Sequence, residues 1–286
     1  MKNKQSFHKF TELKQALKFM NKTGTQSKII AGGTDVLIEL RKEEGKLDTV
    51  KHIIDIHDIQ ELKNIEVGNE ICSIGACCTF KEISSNEHIR SHFPLLKMAV
   101  EKIGSPQIRN VATIGGNICN LAACADSIAP LLVYDAQVRL CSEGSERTVH
   151  LEKILIKPYK AAVRPDEILT QIILPLPDND WKYCFYKLGR RTGVSISRLS
   201  YAILLKISED KVESIRFAFG ALFSVPKRLH DLEQELKQQT ISVELWKDVS
   251  RKVAQQILDE TGVRWSTSYK IPVLQQLFFT SLMDLT

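Results

Sequence analysis

The sequence carries two glycine pairs in similar settings: Ile29-Ile30-Ala31-Gly32-Gly33-Thr34-Asp35 and Ala112-Thr113-Ile114-Gly115-Gly116-Asn117. Because glycine has no Cβ, its backbone N–H groups can approach an anion closely, and the neighbouring Thr and Asn side chains add neutral hydrogen bonds. Together the segments predict a diphosphate site, although each pair taken singly is typical of an ordinary turn. The sequence contains neither the three-glycine Rossmann fingerprint nor a P-loop.

Length and composition are those of a soluble globular protein. The chain has 286 residues, of which 43% are hydrophobic and 26% charged, enough for one large or two medium domains. The formal charge of +5 is spread thinly, so no nucleic-acid partner is expected. No window approaches the roughly 20 apolar residues of a membrane span, and the first residues lack the apolar stretch of a signal peptide. Neither a membrane span nor a secretory signal is predicted, and the cysteine usage described next favours a reducing cytoplasm.

The cysteines and histidines do not form a metal-binding pattern. Seven cysteines, an odd set without any Cys-x-x-Cys pair, favour small buried thiols in a reducing compartment over disulfides, zinc or iron–sulfur ligands. His88 and His92 have helical spacing but no third ligand nearby in the sequence. No metal-binding residue is predicted in this chain.

The first 59 residues have the pattern of a small α/β lobe. A helix with Thr11 as its N-cap precedes a strand over 28–31, the first glycine turn, and a helix over 36–44 capped by Thr34 or Asp35. A second strand follows over 52–56. The first glycine turn therefore lies at the carboxyl end of a strand, where ligands bind in such units.

The rest of the chain divides at a proline-rich segment over 175–180, where a central strand or helix cannot continue. Before it, Gly68-Asn69 predicts a hairpin, a helix is predicted over 94–103, and strands over 137–140 and 147–151. After it, the predicted strands are 202–207 and 215–219, and the predicted helices are 229–238, 243–259 and 271–282. The basic cluster over 187–191 is interpreted either as a site for an anionic ligand or partner, or as a surface turn.

The two glycine segments together, with Pro106-Gln107-Ile108-Arg109-Asn110 leading into the second, resemble one specific family. They resemble the FAD-binding subunit of molybdenum hydroxylases such as xanthine dehydrogenase, carbon monoxide dehydrogenase and nicotinate dehydrogenase. The resemblance covers nearly the whole chain. Its further marks are Asp126 with Ala129-Pro130, Asp166-Glu167-Ile168-Leu169 before Pro175, and Lys187 with Arg190-Arg191.

The resemblance implies an α+β architecture. Residues 1–59 and 60–177 are expected to form the two-lobed FAD-binding fold of the vanillyl-alcohol-type flavoproteins, and residues 178–286 a smaller α+β C-terminal domain. The cofactor-binding residues that it implies are Ile29, Ile30, Ala31, Gly32, Gly33, Thr34, Asp35, Val36, Thr113, Ile114, Gly115, Gly116, Asn117, Asp126, Leu169 and Lys187.

Three of these residues have implied roles at the flavin, and each has a plain alternative. Asp126 would hydrogen-bond flavin or ribityl hydroxyls, or would only cap a helix over 127–134. Leu169 would pack near the isoalloxazine, or would be a core residue. Lys187 would lie close to the flavin ring, or on the surface.

The implied function is electron transfer. A large partner subunit with molybdenum cofactor would hydroxylate the substrate and a small partner with 2Fe-2S clusters would relay electrons. Non-covalent FAD in this chain would pass them to NAD or another acceptor. No catalytic acid, base or nucleophile is then expected here. Ile103 stands where animal xanthine dehydrogenases carry an aromatic residue, so the identity of the electron acceptor is left open. The chain has no cysteine-rich insertion for an iron–sulfur cluster, which favours electron flow out of the complex through the flavin.

Two other interpretations remain. A self-contained flavin oxidase or dehydrogenase would need acid–base residues facing the ring, and no such pair is evident. A scaffold that has lost FAD and only assembles partners is disfavoured by the intact glycines, Asn117 and Asp126.

Overall fold

The computed structural model describes residues 5–42, 47, 49–178, 180–191 and 193–286. Its strands are β1 (Ser6–Lys9), β2 (Ser27–Ile30), β3 (His52–Asp55), β4 (Ile65–Val67), β5 (Ile71–Gly75), β6 (Gln137–Ser142), β7 (Ser145–His150), β8 (Leu155–Lys157), β9 (Lys160–Ala161), β10 (Ile168–Pro175), β11 (Lys182–Gly189), β12 (Ser197–Ser208), β13 (Lys211–Gly220) and β14 (Lys227–Arg228). Its α-helices are α1 (Leu13–Thr23), α2 (Val36–Leu40), α3 (Phe80–Ser85), α4 (Glu87–His92), α5 (Pro94–Glu101), α6 (Pro106–Arg109), α7 (Ile114–Asn120), α8 (Ile128–Val133), α9 (His230–Glu235), α10 (Val243–Thr261) and α11 (Thr267–Asp284). Short 3-10 helices cover Gly24–Gln26, Gln60–Leu62 and Leu151–Ile154.

The N-terminal part is a three-stranded parallel sheet in the order β1-β3-β2. Helix α1 covers it with Ala16, Leu17 and Met20, which are its buried residues. The predicted strands 28–31 and 52–56 are confirmed as β2, which begins and ends one residue earlier, and β3, which ends one residue earlier. The sequence does not predict β1, because this strand is mostly exposed and shows no alternation of buried and exposed positions.

Two predicted helix caps in this part are wrong. Helix α1 begins after Glu12 instead of Thr11, and no side chain caps it. Asp35 precedes α2, but its side chain makes no cap hydrogen bond. Helix α2 ends at Leu40, short of the predicted end at residue 44, and residues 43–46 lie outside the described part of the chain.

The second part is a five-stranded antiparallel sheet in the order β4-β5-β10-β6-β7. The hairpin at Gly68-Asn69 and the strands near 137–140 and 147–151 are confirmed. The central strand β10 is absent from the sequence predictions. It is buried at six of its eight positions, so its apolar residues fall in two runs around Thr170 and Gln171 and lack the period of two that marks a half-buried strand.

The C-terminal part is a four-stranded antiparallel sheet in the order β11-β12-β13-β14, covered by α10 and α11. Side chains of β12 alternate between two cores: Ala202 and Leu204 pack toward the second part, and Tyr201 and Ile203 pack toward the C-terminal helices. The sheet therefore joins the C-terminal helices to the second part. Pro175 is the last residue of β10, and Pro177 lies between β10 and β11, while Asn179 lies outside the described residues.

Candidate functional site

The two glycine segments face each other across a cleft of about 520 Å³. The first segment follows β2 and leads into α2, and the second forms the start of α7. From the predicted set, the cleft is lined by Ile29, Ala31, Gly32, Gly33, Thr34, Asp35, Val36, Thr113, Gly115, Gly116, Asn117 and Leu169. Ile30 and Ile114 do not line the cleft, because their side chains are buried in the core.

Two of the four glycines allow a neighbouring stretch of chain to approach closely, the one at Val111 for Gly32 and the one at Ala76 for Gly115. A Cβ on Gly32 would lie 1.9 Å from the carbonyl oxygen of Val111, and a Cβ on Gly115 would lie 2.6 Å from the Cβ of Ala76. Gly33 has φ of +71°, the left-handed region that glycine adopts most readily. The requirement for glycine at these positions comes from chain packing and backbone conformation.

Gly116 differs, because no other chain segment crowds it. The nearest atom to a Cβ there would be the hydroxyl of Thr113 in the same turn, at 2.8 Å. Gly116 is exposed and lines the cleft. The absence of a side chain at Gly116 therefore keeps space in the cleft open.

The first segment offers a row of unpaired backbone donors. Among the described residues, no acceptor is found for the N–H groups of Gly32, Gly33, Thr34 and Asp35. Consecutive free N–H groups in a turn with one left-handed residue form a concavity that attracts anions. This agrees with the prediction that the first segment binds a diphosphate through its backbone.

The second segment contributes side chains instead of backbone donors. Its N–H groups are already used: Gly115 donates to the Ala76 carbonyl (2.9 Å), Gly116 to Thr113 Oγ1 (3.2 Å) and Asn117 to the Thr113 carbonyl (3.0 Å). The expectation that both segments present free backbone N–H groups is therefore wrong for this one. The reason is twofold: the segment begins a helix in which the capping residue Thr113 accepts from Gly116 and Asn117, and the close approach of Ala76 supplies the acceptor for Gly115.

Thr113 and Asn117 still have donors available at the cleft. Thr113 Oγ1 accepts the cap hydrogen bond, which leaves its O–H free to donate. Asn117 Oδ1 accepts a hydrogen bond of 2.7 Å from Ser127 Oγ, and this fixes the amide so that Nδ2 is the remaining donor. The site thus combines backbone donors on one side with neutral side-chain donors on the other.

The remaining lining is largely apolar. Leu169 is 4% exposed, belongs to the main core and also lines the cleft, so its two interpretations are compatible. Ile103, Val163 and Ile168 line the same cleft. A lining with both apolar side chains and convergent donors fits a ligand that has a flat aromatic part and an anionic part.

Asp126 and Lys187 form a buried ion pair. Lys187 Nζ lies 2.7 Å from Asp126 Oδ2, their side chains are 7% and 4% exposed, and Ser197 Oγ donates to the other carboxylate oxygen. The plain alternatives for both residues are therefore wrong: helix α8 begins after Ser127 without using Asp126 as a cap, and Lys187 is not on the surface. Lys187 also donates to the Lys102 carbonyl (2.8 Å).

This pair lies beside the cleft rather than in its lining. Lys187 is bonded to the carbonyl of Lys102, and the next residue in the chain, Ile103, lines the cleft. Lys187 is therefore separated from the cleft by this one stretch of backbone. The pair also joins the second part of the fold to strand β11 of the C-terminal sheet. A role at the flavin for either residue stays a prediction.

Replacing Lys187 with Met is expected to lower the free energy of unfolding by about 3 kcal/mol, because the buried Asp126 carboxylate loses its counter-charge. Chemical denaturation of purified protein measures this. The exposed pair Lys252–Glu235 supplies the matched control, and Lys252→Met should cost less than about 1 kcal/mol. The double variant Asp126→Asn/Lys187→Met should recover part of the loss, and equal stability of Lys187→Met and wild type would contradict the assignment.

The cysteines are isolated thiols. All seven are free, and Cys72, Cys77 and Cys78 are buried. Burial raises the pKa of Cys77 to about 12, which keeps this thiol protonated and unreactive at neutral pH. Within the described ranges, no three potential ligands from His, Cys, Asp and Glu come together around a metal position.

Family comparisons agree with the geometry of the cleft. Residues 3–177 match the model for the FAD binding domain in molybdopterin dehydrogenase, and residues 184–285 match that for the CO dehydrogenase flavoprotein C-terminal domain. The chain belongs to this family of FAD-binding subunits. FAD is therefore its cofactor, and the predicted architecture of a FAD-binding domain followed by a C-terminal domain is confirmed.

Individual relatives of this FAD-binding subunit are components of oxidoreductases. The xanthine dehydrogenase FAD-binding subunit of Escherichia coli O157:H7 is 31% identical over 274 residues, which cover 95% of this chain and 92% of the relative. The nicotinate dehydrogenase FAD-subunit of Eubacterium barkeri is 32% identical over 263 residues, covering 90% and 87%. This chain is accordingly the FAD-binding medium subunit of a molybdenum hydroxylase of the xanthine and carbon monoxide dehydrogenase type.

A solved carbon monoxide dehydrogenase of Hydrogenophaga pseudoflava has the same fold as this subunit. The two chains superpose with a TM-score of 0.89 at 23% identity, covering 100% of this chain and 98% of the other. None of the described helices combines the length and the apolar character that a bilayer span requires.

Sequence reasoning missed one feature of the site. Residues 159–161, 163–165 and Glu167 also line the cleft, and Arg147 from β7 holds Glu167. The family resemblance includes Glu167 in the segment Asp166-Glu167-Ile168-Leu169 but implies no role for it. Its partner is 20 residues away in the sequence, and no local pattern indicates such a pairing.

Proposed function

We propose that this FAD-binding subunit transfers electrons within a larger complex. It receives them from 2Fe-2S clusters in a small partner subunit and passes them to NAD or another acceptor. Substrate hydroxylation takes place at the molybdenum cofactor of a large partner subunit. The unpaired N–H groups of residues 32–35, opposite Thr113 and Asn117, are the observation that carries the proposal, because they suit a non-covalently bound diphosphate.

The residues of this chain fit FAD, which can exchange electrons singly or in pairs when bound. The first segment would bind the diphosphate through the N–H groups of Gly32 to Asp35, and Thr113 and Asn117 would donate to the diphosphate or the ribityl chain. Leu169 and Ile103 would pack near the ring and exclude water. Asp126 and Lys187 would act next to the ring from beside Ile103.

No acid–base chemistry on an organic substrate is proposed for this chain. Of the carboxylates in the cleft lining, Glu167 is bound by Arg147, and Asp35 lies on the glycine segment that is proposed to bind the diphosphate, away from the apolar lining expected near the ring. A general base would need to present a free carboxylate or imidazole to a substrate. The cytoplasm is the proposed location, on the basis of cysteine usage.

Reconstitution with the two partner subunits tests the proposal. The FAD-loaded chain alone should not oxidise a purine, aldehyde or heterocycle, and the assembled complex should oxidise its substrate with reduction of NAD or a dye. A complex assembled with Gly116→Val should have lost the reduction of that acceptor. Oxidation of the organic substrate by the chain alone would favour a self-contained oxidase, and full acceptor reduction by the Gly116→Val complex would favour a scaffold.

A further inference from the structure

One wall of the FAD cleft has little regular structure of its own. Residues 159–169 contribute much of the lining, including Tyr159, Val163 and Leu169. Within this wall the only strand before β10 is the two-residue β9, which pairs with β8. Backbone hydrogen bonds anchor its start, from Tyr159 to the Leu121 carbonyl (3.0 Å) and from Ala162 to the Ile154 carbonyl (2.8 Å), and side-chain contacts hold the part that follows.

Glu167 is the centre of these contacts. Its side chain is 3% exposed. Oε1 accepts a hydrogen bond from Arg147 Nε (2.7 Å), and Oε2 accepts from Arg147 Nη2 (2.8 Å) and from the backbone N–H of Arg164 (2.8 Å). Every donor is directed at a carboxylate that has almost no access to water.

Arg147 ties this wall to the main sheet. It lies on β7, pairs with Glu167 in a bidentate manner and also donates from Nη2 to the Ala162 carbonyl (3.0 Å). One guanidinium group thus fixes the wall directly at residues 162 and 167, and through Glu167 at residue 164. The planar fork of arginine matches a carboxylate in this way, and lysine cannot reproduce both bonds.

The pKa of Glu167 favours the ionised carboxylate, which is the form that pairs with Arg147. Burial alone would raise the pKa of Glu167, but the hydrogen bond and charge of Arg147, with help from Arg164, outweigh it and hold that pKa below its ordinary value. Arg147 itself does not line the cleft. Any effect that it has on a ligand must pass through Glu167 and the wall.

We propose that Arg147 is a positioning residue for FAD: through its bidentate bond to Glu167 it holds the wall formed by residues 159–169 against the cofactor. This inference rests on the proposed function, since it takes the cleft as the FAD site. Glu167 is followed by Ile168 and Leu169, both in the lining, so a shift of the carboxylate would move the apolar surface expected near the flavin ring.

The test compares Arg147→Met with Arg216→Met. Arg216 is a matched control because its side chain is 30% exposed, close to the 31% of Arg147, and it also makes an ion pair of 2.6 Å, to Asp135, away from the cleft. We expect Arg147→Met to raise the Kd for FAD at least roughly tenfold and Arg216→Met to change it less than about twofold. Quenching of FAD fluorescence on titration measures both values.

Limited trypsin digestion gives a second readout, specific to the wall. Lys160 is the tryptic site within it, because trypsin does not cleave the bond between Arg164 and Pro165. Relative to tryptic sites elsewhere in the same variant, cleavage at Lys160 should be selectively faster in Arg147→Met than in wild type or Arg216→Met, and FAD should slow it in wild type. Overall stability should also fall in Arg147→Met, because the buried Glu167 carboxylate loses its counter-charge. A general loss of stability would accelerate cleavage at sites throughout the chain.

Arg147→Lys is the conservative variant, and it tests the proposed role of Arg147 even if Arg147→Met does not fold. It should show a smaller but measurable rise in Kd and in cleavage of the wall, because one hydrogen bond to Glu167 can remain. Wild-type values for both quantities in a folded Arg147 variant would overturn the proposal. Failure of the wild-type chain itself to bind FAD would instead contradict the proposed function, so the two failures are distinguishable.

Discussion

Gly116→Val is expected to abolish FAD retention while leaving the chain folded. Valine would place two methyl groups in the cleft at a position that is now exposed and uncrowded by other chain segments. Inside the protein it would disturb only the Thr113 hydroxyl, 2.8 Å from the new Cβ, at a cost of about 1 kcal/mol for the weakened helix cap. FAD per chain after purification, read from the visible spectrum, and the far-ultraviolet circular dichroism measure the two effects.

Gly68→Val is the control for adding the same side chain elsewhere. Gly68 is exposed in the turn between β4 and β5, and a Cβ there would have its nearest neighbour at 3.6 Å. This variant should retain wild-type FAD content. If Gly116→Val retained FAD at that level too, the second glycine segment would not form part of the cofactor site.

Gly32→Val is expected to destabilise the fold itself. The new Cβ would overlap the Val111 carbonyl oxygen at 1.9 Å, and the three nearest atoms are all backbone atoms of residues 111 and 112, so none can rotate away. Separating the first glycine segment from the chain leading into α7 should cost more than about 4 kcal/mol. The free energy of unfolding from urea denaturation measures this cost.

Comparison with Gly116→Ala tests this prediction, because alanine at position 116 meets only the movable Thr113 hydroxyl. Gly116→Ala should stay within about 1 kcal/mol of wild type. A Gly32→Val variant of wild-type stability would show that the two segments do not need this close approach. Glycine at position 32 is thus expected to be required for folding, and glycine at position 116 for binding of the ligand.

The sequence predicted the features of this protein that depend on local chemistry. Gly32-Gly33 after an apolar strand was sufficient to predict the turn at its carboxyl end, and the structure shows free N–H groups there. Gly68-Asn69 was sufficient for the hairpin. Each depends on residues within a few positions of one another.

Features that depend on distant partners were not predictable in the same way. Strand β10 is buried between β5 and β6, so it lacks the alternation that marks a half-buried strand. The bonds of Arg147 to Glu167 and of Lys187 to Asp126 join residues that only the fold brings together. No sequence pattern indicated that the N–H groups of the second segment already have acceptors within the protein. Gly116 and Asn117 donate to Thr113, and Gly115 donates to Ala76.

Some predictions stay predictions. The domain limits at residues 59 and 177 await a test of which fragments fold alone. The roles at the flavin of Asp126, Leu169 and Lys187 await measurements on the cofactor-loaded protein. The structure gives these residues positions in or beside the cleft.

Titration of the purified, FAD-depleted chain with FAD tests the central claim most directly. The account predicts saturable, non-covalent binding of about one FAD per chain, with competition by ADP, which carries the diphosphate without the flavin ring. Absence of saturable binding by demonstrably folded chain, alone and in the presence of its partner subunits, would contradict the assignment of the cleft between the two glycine segments as the cofactor site.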